Sequence, residues 1–150
     1  MNPRMLELWS GIDRNARAEP LHGDLAELAR SPIVEFKGAT VLERLLRRGL
    51  GVPCIDDLTG FEALANKIHI IDYADNATSG ARLVVQGVLY AEALAARLSH
   101  LGKPMRIAMN QDASSGAVTV RFFVRRGGVP WGCEDPDAYT DEAVSYWDVG

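Results

Sequence analysis

The sequence predicts an α+β domain: a small mixed β-sheet with helices packed on it, built as a single domain over residues 1–150. Three observations carry this. Residues 67–126 read strand, helix, strand, strand, with the period changing from two to 3.6 and back. The chain of 150 residues is long enough for a real core and short for two domains. Its 47% hydrophobic and 24% charged content is that of an ordinary globular protein, and no apolar run approaches the ~20 residues of a membrane span.

The helix of that central stretch is expected over about 81–101. Val84, Val88, Ala91, Ala95 and Leu98 recur at steps of three and four, and Leu83, Gly87, Leu94 and Leu101 widen the stripe. Arg82, Gln86, Arg97 and His100 fall on the opposite, wet side. Gly87 costs about 1 kcal/mol against alanine inside a helix, which a close approach to a sheet would offset. Gly102 and Pro104 stop the helix. Residues 67–73 (KIHIIDY) read as a strand. Met105, Ile107 and Met109 alternate with Arg106, Ala108 and Asn110, and after the break DASSG, Val118, Val120, Phe122 and Val124 alternate with Thr119, Arg121, Phe123 and Arg125. The last two strands form a hairpin. The first two, joined through the helix, read as parallel neighbours. Ile70, Val84, Val88, Leu94, Leu98, Ile107, Val120 and Phe122 are the expected core.

Upstream, Met5, Leu6, Leu8, Trp9 and Ile12 suggest a short helix ended by Pro20. Asp24 reads as the cap of a second helix, with Glu27 closing a capping box. Residues 33–37 (IVEFK) suggest a strand. Thr40 and Glu43 read as the box of a third helix, its arginines Arg44, Arg47 and Arg48 facing water. A loop over 51–60 precedes one helical turn at 61–65. Near the end, residues 143–149 (AVSYWDV) alternate as a final strand.

Charge is segregated along the chain. Residues 133–150 hold six acids and no Lys or Arg, which leaves 16 basic and 14 acidic residues before them, within a net charge of −4. Trp131, Tyr139, Tyr146 and Trp147 are interleaved with those acids. In the plainer reading the aromatics bury and the acids stay solvated. In the functional one they form a recognition surface of aromatic anchors ringed by carboxylates, suited to a basic protein partner and unsuited to nucleic acid or a membrane.

Other candidates are thinner. Asp24 with Glu35-Phe36-Lys37 has the acids and lysine of a metal-dependent nuclease of the PD-(D/E)xK type, which needs carboxylates on a divalent ion and a lysine near the phosphate. E-x-K also arises by chance, as an exposed ion pair on a strand. His22, His69 and His100 show no ligand spacing, and Asp135, Asp137 and Asp141 lack the order of a calcium loop. Arg121, Arg125 and Arg126 with Phe122 and Phe123 read as packing residues and not as a base-stacking platform. Cys54 and Cys133 make neither a disulfide framework nor a metal cluster, and the start MNPRMLELWSG lacks the pattern of a secretory signal; a cytoplasmic protein without a cofactor is expected.

The segment VRFFVRRGGVPWGCEDPDAYTDEAVSYWDV (residues 120–149) resembles the C-terminal pattern of bacterial immunity proteins of contact-dependent and polymorphic toxin systems, through its Arg-Phe, Trp131, Tyr139 and following acids. The resemblance implies a compact cytoplasmic α+β protein, not an enzyme, that protects the cell by binding a toxin domain, often a nuclease. On that reading Asp135, Asp137, Asp141, Glu142, Trp131 and Tyr139 are the expected partner contacts.

Overall fold

The computed structural model describes residues 1–49, 55–74, 80–128 and 131–150. Its architecture is α+β: two small antiparallel sheets with helices packed on them. The helices are α1 (Pro3–Gly11), α2 (Arg14–Arg17), α3 (Gly23–Arg30), α4 (Glu43–Leu46), α5 (Leu58–Ala65) and α6 (Gly80–Leu98). The strands are β1 (Ile33–Phe36), β2 (Ala39–Leu42), β3 (Ile68–His69), β4 (Met105–Asp112), β5 (Val118–Val124) and β6 (Glu142–Val149). β1 and β2 form a hairpin, and the larger sheet has the order β3-β5-β4-β6.

The expected helix is α6, followed by a 3-10 turn (Ser99–Leu101) and Gly102 in the left-handed region at φ 63°. Its apolar stripe lies on one face of the larger sheet, and all eight expected core residues are buried. A Cβ at Gly87 would come within 2.9 Å of both Met109 Cε and Val118 Cγ1, so the close approach to the sheet is real. The wet side of α6 is less wet than its charges suggest. Gln86 is buried, accepting from His22 N at 2.7 Å and donating to Pro20 O at 3.0 Å, and Arg97 donates to Ser31 O at 2.9 Å. The segment around α3 therefore covers that side, tied down through its own backbone N–H and carbonyl groups.

Several expectations are corrected. The larger sheet is antiparallel throughout, not mixed: β3 runs in the same direction as β4, but β5 lies between them. β3 is only two residues long, Ile68 and His69 pairing with Val120 and Thr119 of β5. The chain turns instead into a 3-10 helix (Ile70–Tyr73), whose i, i+3 spacing buries Ile70 and Tyr73 while Ile71 and Asp72 face water. Thr40 begins no helix. Lys37 and Gly38 take positive φ of 51° and 86°, the two-residue hairpin turn, so Thr40 lies in β2 and only α4 follows. Asp24 is not a cap: His22 holds that position, and Asp24 lies in the first turn of α3. The single expected N-terminal helix is two pieces, since Asp13 caps α2 by accepting from Asn15 N at 2.7 Å. Of the loop expected at 51–60, residues 51–54 with Cys54 lie outside the described residues, and 58–60 open α5.

The two sheets are joined by side chains of α5. Glu62 is fully buried and accepts from Thr40 N at 2.7 Å and Val124 N at 2.8 Å, and it pairs with both terminal nitrogens of Arg126 at 2.8 Å. Asn66, four residues on, accepts from Leu42 N and donates to Thr40 O and Phe122 O. These two residues do for the facing edges of β2 and β5 what another strand would do, pairing the N–H groups of Thr40, Leu42 and Val124 and the carbonyls of Thr40 and Phe122.

Candidate functional site

Strand register decides which residues meet on the sheet face turned away from α6. Arg106 lies between Asp148 and Phe123, Ala108 between Tyr146 and Arg121, and Asn110 between Val144 and Thr119. The other parity, with Ile107 between Trp147 and Phe122, faces α6 and the core. Trp147 thus belongs to the core side, while Tyr146, Trp131 and Tyr139 gather on the outer face.

The loop over residues 131–141 folds across that face. Trp131 packs on Phe123, with ring centroids 5.3 Å apart, and on the Arg121 guanidinium at 4.8 Å. The Tyr139 hydroxyl accepts from Cys133 N at 2.9 Å, and the Tyr146 hydroxyl donates to Cys133 O at 2.9 Å. Burial raises the Tyr146 phenol above its ordinary pKa, with the neighbouring Tyr139 adding to the effect. The loop is also pinned from the N-terminus. Asn2 is buried, pairs through its backbone with Val144, and donates from its side chain to Tyr139 O and Glu142 O.

The six acids of the tail divide into two sets. Asp148 accepts both arms of Arg106, at 2.7 and 2.9 Å, and Glu134 pairs with Arg106 at 3.0 Å and Arg125 at 3.1 Å. The side chain of Arg106 is 7% exposed and stacks over Tyr146 at 4.4 Å. The Asp148 carboxyl is held below its ordinary pKa, first by the hydrogen bond from Arg106. Glu142 is half-buried and accepts from Asn110 Nδ2 at 3.0 Å. Asp135, Asp137 and Asp141 remain on the exposed loop, where Asp135 accepts from Asp137 N at 2.9 Å.

Of the expected contact residues, then, Trp131, Tyr139 and Glu142 line one cavity of about 240 Å³ on the outer face, with Asn110, Arg121 and Tyr146. Asp135, Asp137 and Asp141 are exposed beside them in sequence. Arg106, Asn110 and Arg121 were legible only as strand residues; their part in the site follows from register. The nuclease residues are dispersed over three elements. Asp24 is on α3, Glu35 is on β1 with its carboxylate on Lys103, and Lys37 is in the hairpin turn with its ammonium 5.7 Å from the Phe36 ring. Among the described residues no group of three or more His, Cys, Asp or Glu is placed to hold a metal. Of Arg121, Arg125 and Arg126, only the first two belong to this face; Arg126 is taken by Glu62. Among the described residues no helix is long and apolar enough to cross a membrane.

This is an α+β protein whose outer sheet face carries a cavity lined by aromatic residues and an arginine. Over residues 1–150 it matches the Uncharacterized protein PM0498 family, and the chain belongs to that family. No curated protein and no solved structure matches it.

Proposed function

We propose that this is a non-enzymatic cytoplasmic binding protein that neutralises a cognate toxin domain by covering its basic working surface. One observation carries the reading: Trp131, Tyr139 and Tyr146 are brought together on one face with Arg106 and Arg121, next to a loop that exposes Asp135, Asp137 and Asp141. Trp, Tyr and Arg are the residues that dominate binding energy at protein interfaces. Glu134 and Asp148 are already neutralised by arginines of the same chain, so the charge left to meet a basic partner is that of the three exposed aspartates. A nuclease domain is positive where it holds phosphates, and an acidic loop fits that surface.

The test is co-expression with a basic nuclease toxin domain encoded beside a member of this family, with survival and complex formation as readouts. Replacing Asp135, Asp137 and Asp141 together by Asn keeps the local hydrogen bonds and removes the charge. It should slow association about tenfold at low salt, with the difference shrinking as salt rises. Unchanged association by a folded triple variant would refute the acidic-loop reading. Absence of any complex or protection would refute the toxin reading as a whole.

A further inference from the structure

The cavity on the outer face has a specific construction. In the row Arg121–Ala108–Tyr146, a residue with a single methyl group stands between two long side chains. Ala108 is therefore a floor, with Arg121 and Trp131 forming one wall and Tyr146 and Tyr139 the other. Asn110 and Glu142 close one end through their mutual hydrogen bond.

Arg121 is the unusual member. It is partly buried, yet among the described residues it makes no ion pair, whereas its neighbours Arg106, Arg125 and Arg126 all do. Only its Nη2 has acceptors, Asn110 Oδ1 at 3.5 Å and Thr119 Oγ1 at 3.3 Å, both long. Among the described residues Nε and Nη1 have none, and neither is among the buried polar atoms left without a partner, so they are reachable from outside. The Trp131 ring lies against the guanidinium, its centroid 4.8 Å from Cζ. Burial makes the charged form of this arginine less favourable than usual. A planar cation that is partly desolvated and short of acceptors is suited to a planar anion such as a carboxylate.

We propose that this cavity binds a carboxylate group, which accepts from an open N–H group of Arg121 and lays its stem over Ala108 between Trp131 and Tyr146. The same surroundings select against a dianion. Glu142 lies at the end of the cavity without an ion pair to Arg121, and it repels a dianion about twice as strongly as a monoanion. The volume of about 240 Å³ admits one small acid or one acidic side chain, and little more. This pocket does not depend on the toxin reading, because small acids probe it without any partner.

Titration of the whole protein with propionate, N-acetylglutamate α-amide and N-acetylalanine tests it, each paired with its neutral amide, followed by the Trp131 indole N–H and Arg121 Nε–H resonances. Propionate stands for a free small acid, the second for a partner's acidic side chain, the third for a chain terminus. At least one acid should give saturable shifts that its amide does not give, and the tightest of the three names the source. Arg121→Gln should weaken binding tenfold or more, and Arg121→Lys should retain part of it. Ala108→Leu keeps the arginine and fills the floor; it should also abolish binding, and it carries the test if Arg121→Gln fails to fold. The proposal is overturned if no acid gives saturable shifts, if acid and amide behave alike, or if Arg121→Gln or Ala108→Leu binds as the parent does.

Discussion

Glu62→Ala is the sharpest test of how the two sheets are held together. The carboxylate is fully buried and serves two backbone N–H groups, Thr40 and Val124, as well as the Arg126 fork. Alanine leaves both backbone donors buried without an acceptor, at about 1–3 kcal/mol each. The Arg126 side chain is 27% exposed, so water recovers part of its hydrogen bonding and it adds little. The sum is about 4 kcal/mol, within the range of about 3–5 kcal/mol for breaking a buried ion pair from one side. For a domain of this size that lowers Tm by about 8–16 °C. Glu62→Gln keeps one acceptor oxygen and should lose about half as much. Urea unfolding followed by circular dichroism gives the loss as a shift in midpoint at constant slope. Amide exchange adds the location: Thr40 and Val124 should lose protection together. A Glu62→Ala protein within about 0.5 kcal/mol of the parent, as for an ordinary surface change, would refute the bridge, as would unchanged protection at those two amides.

Gly87→Ala should destabilise by about 1 kcal/mol in the same urea experiment: alanine gains about 1 kcal/mol of helix propensity, but the new methyl meets stiff Val118 at 2.9 Å and forces overpacking of about 1–3 kcal/mol. A net gain in stability would show that α6 can lift from the sheet. Asn2→Ala should cost about 2–3 kcal/mol, since it removes both the cap of α1 and the acceptor of buried Val144 N; loss of amide protection at Val144 checks it. Asp112 accepts from the side chains and backbone N–H groups of Ser114 and Ser115, the Ser114 hydroxyl first, and its carboxyl is held at about 2. Because the folded value lies below the unfolded value of about 3.9, the stabilisation is complete above about pH 4 and is lost as pH falls toward about 2. Carbon NMR titration of the carboxyl should show the depressed midpoint, and the stability difference between parent and Asp112→Ala should shrink over that interval.

The long elements were legible because their periods are long enough to average over local exceptions. α6, the β4–β5 hairpin and β6 all lie where alternation or 3.6-residue spacing placed them. The misreadings share a cause: a short segment whose local pattern fits two structures. Thr40-Val41-Leu42-Glu43 matches a capping box, but the Lys37-Gly38 turn and the α5 side chains waiting at Thr40 and Leu42 favour a strand. Residues 68–73 alternate like a strand, yet only the first two pair with β5, and Ile70–Tyr73 turn into a 3-10 helix that buries Ile70 and Tyr73. In both cases the deciding partner lies about 20 to 50 residues away, where no local window reaches.

The acidic tail shows the same limit for the candidate site. Composition correctly marked residues 131–148 as unusual, but a run of acids in sequence is not a patch of acids in space. β6 returns to the open edge of β4, because the other edge of β5 is already occupied by β3 and the α5 side chains. That placement brings Asp148 against Arg106, 42 residues earlier, and gives Glu134 two arginines. It brings Tyr146 into the row of Ala108 and Arg121. The segment thus contributes contacts of its aromatic residues and part of its charge to holding itself on the sheet, and only what remains at the surface is open to a partner. Arg106 and Arg125 take their carboxylates from β6 or its loop, whereas among the described residues Arg121 makes no ion pair, which leaves its guanidinium open to the proposed ligand.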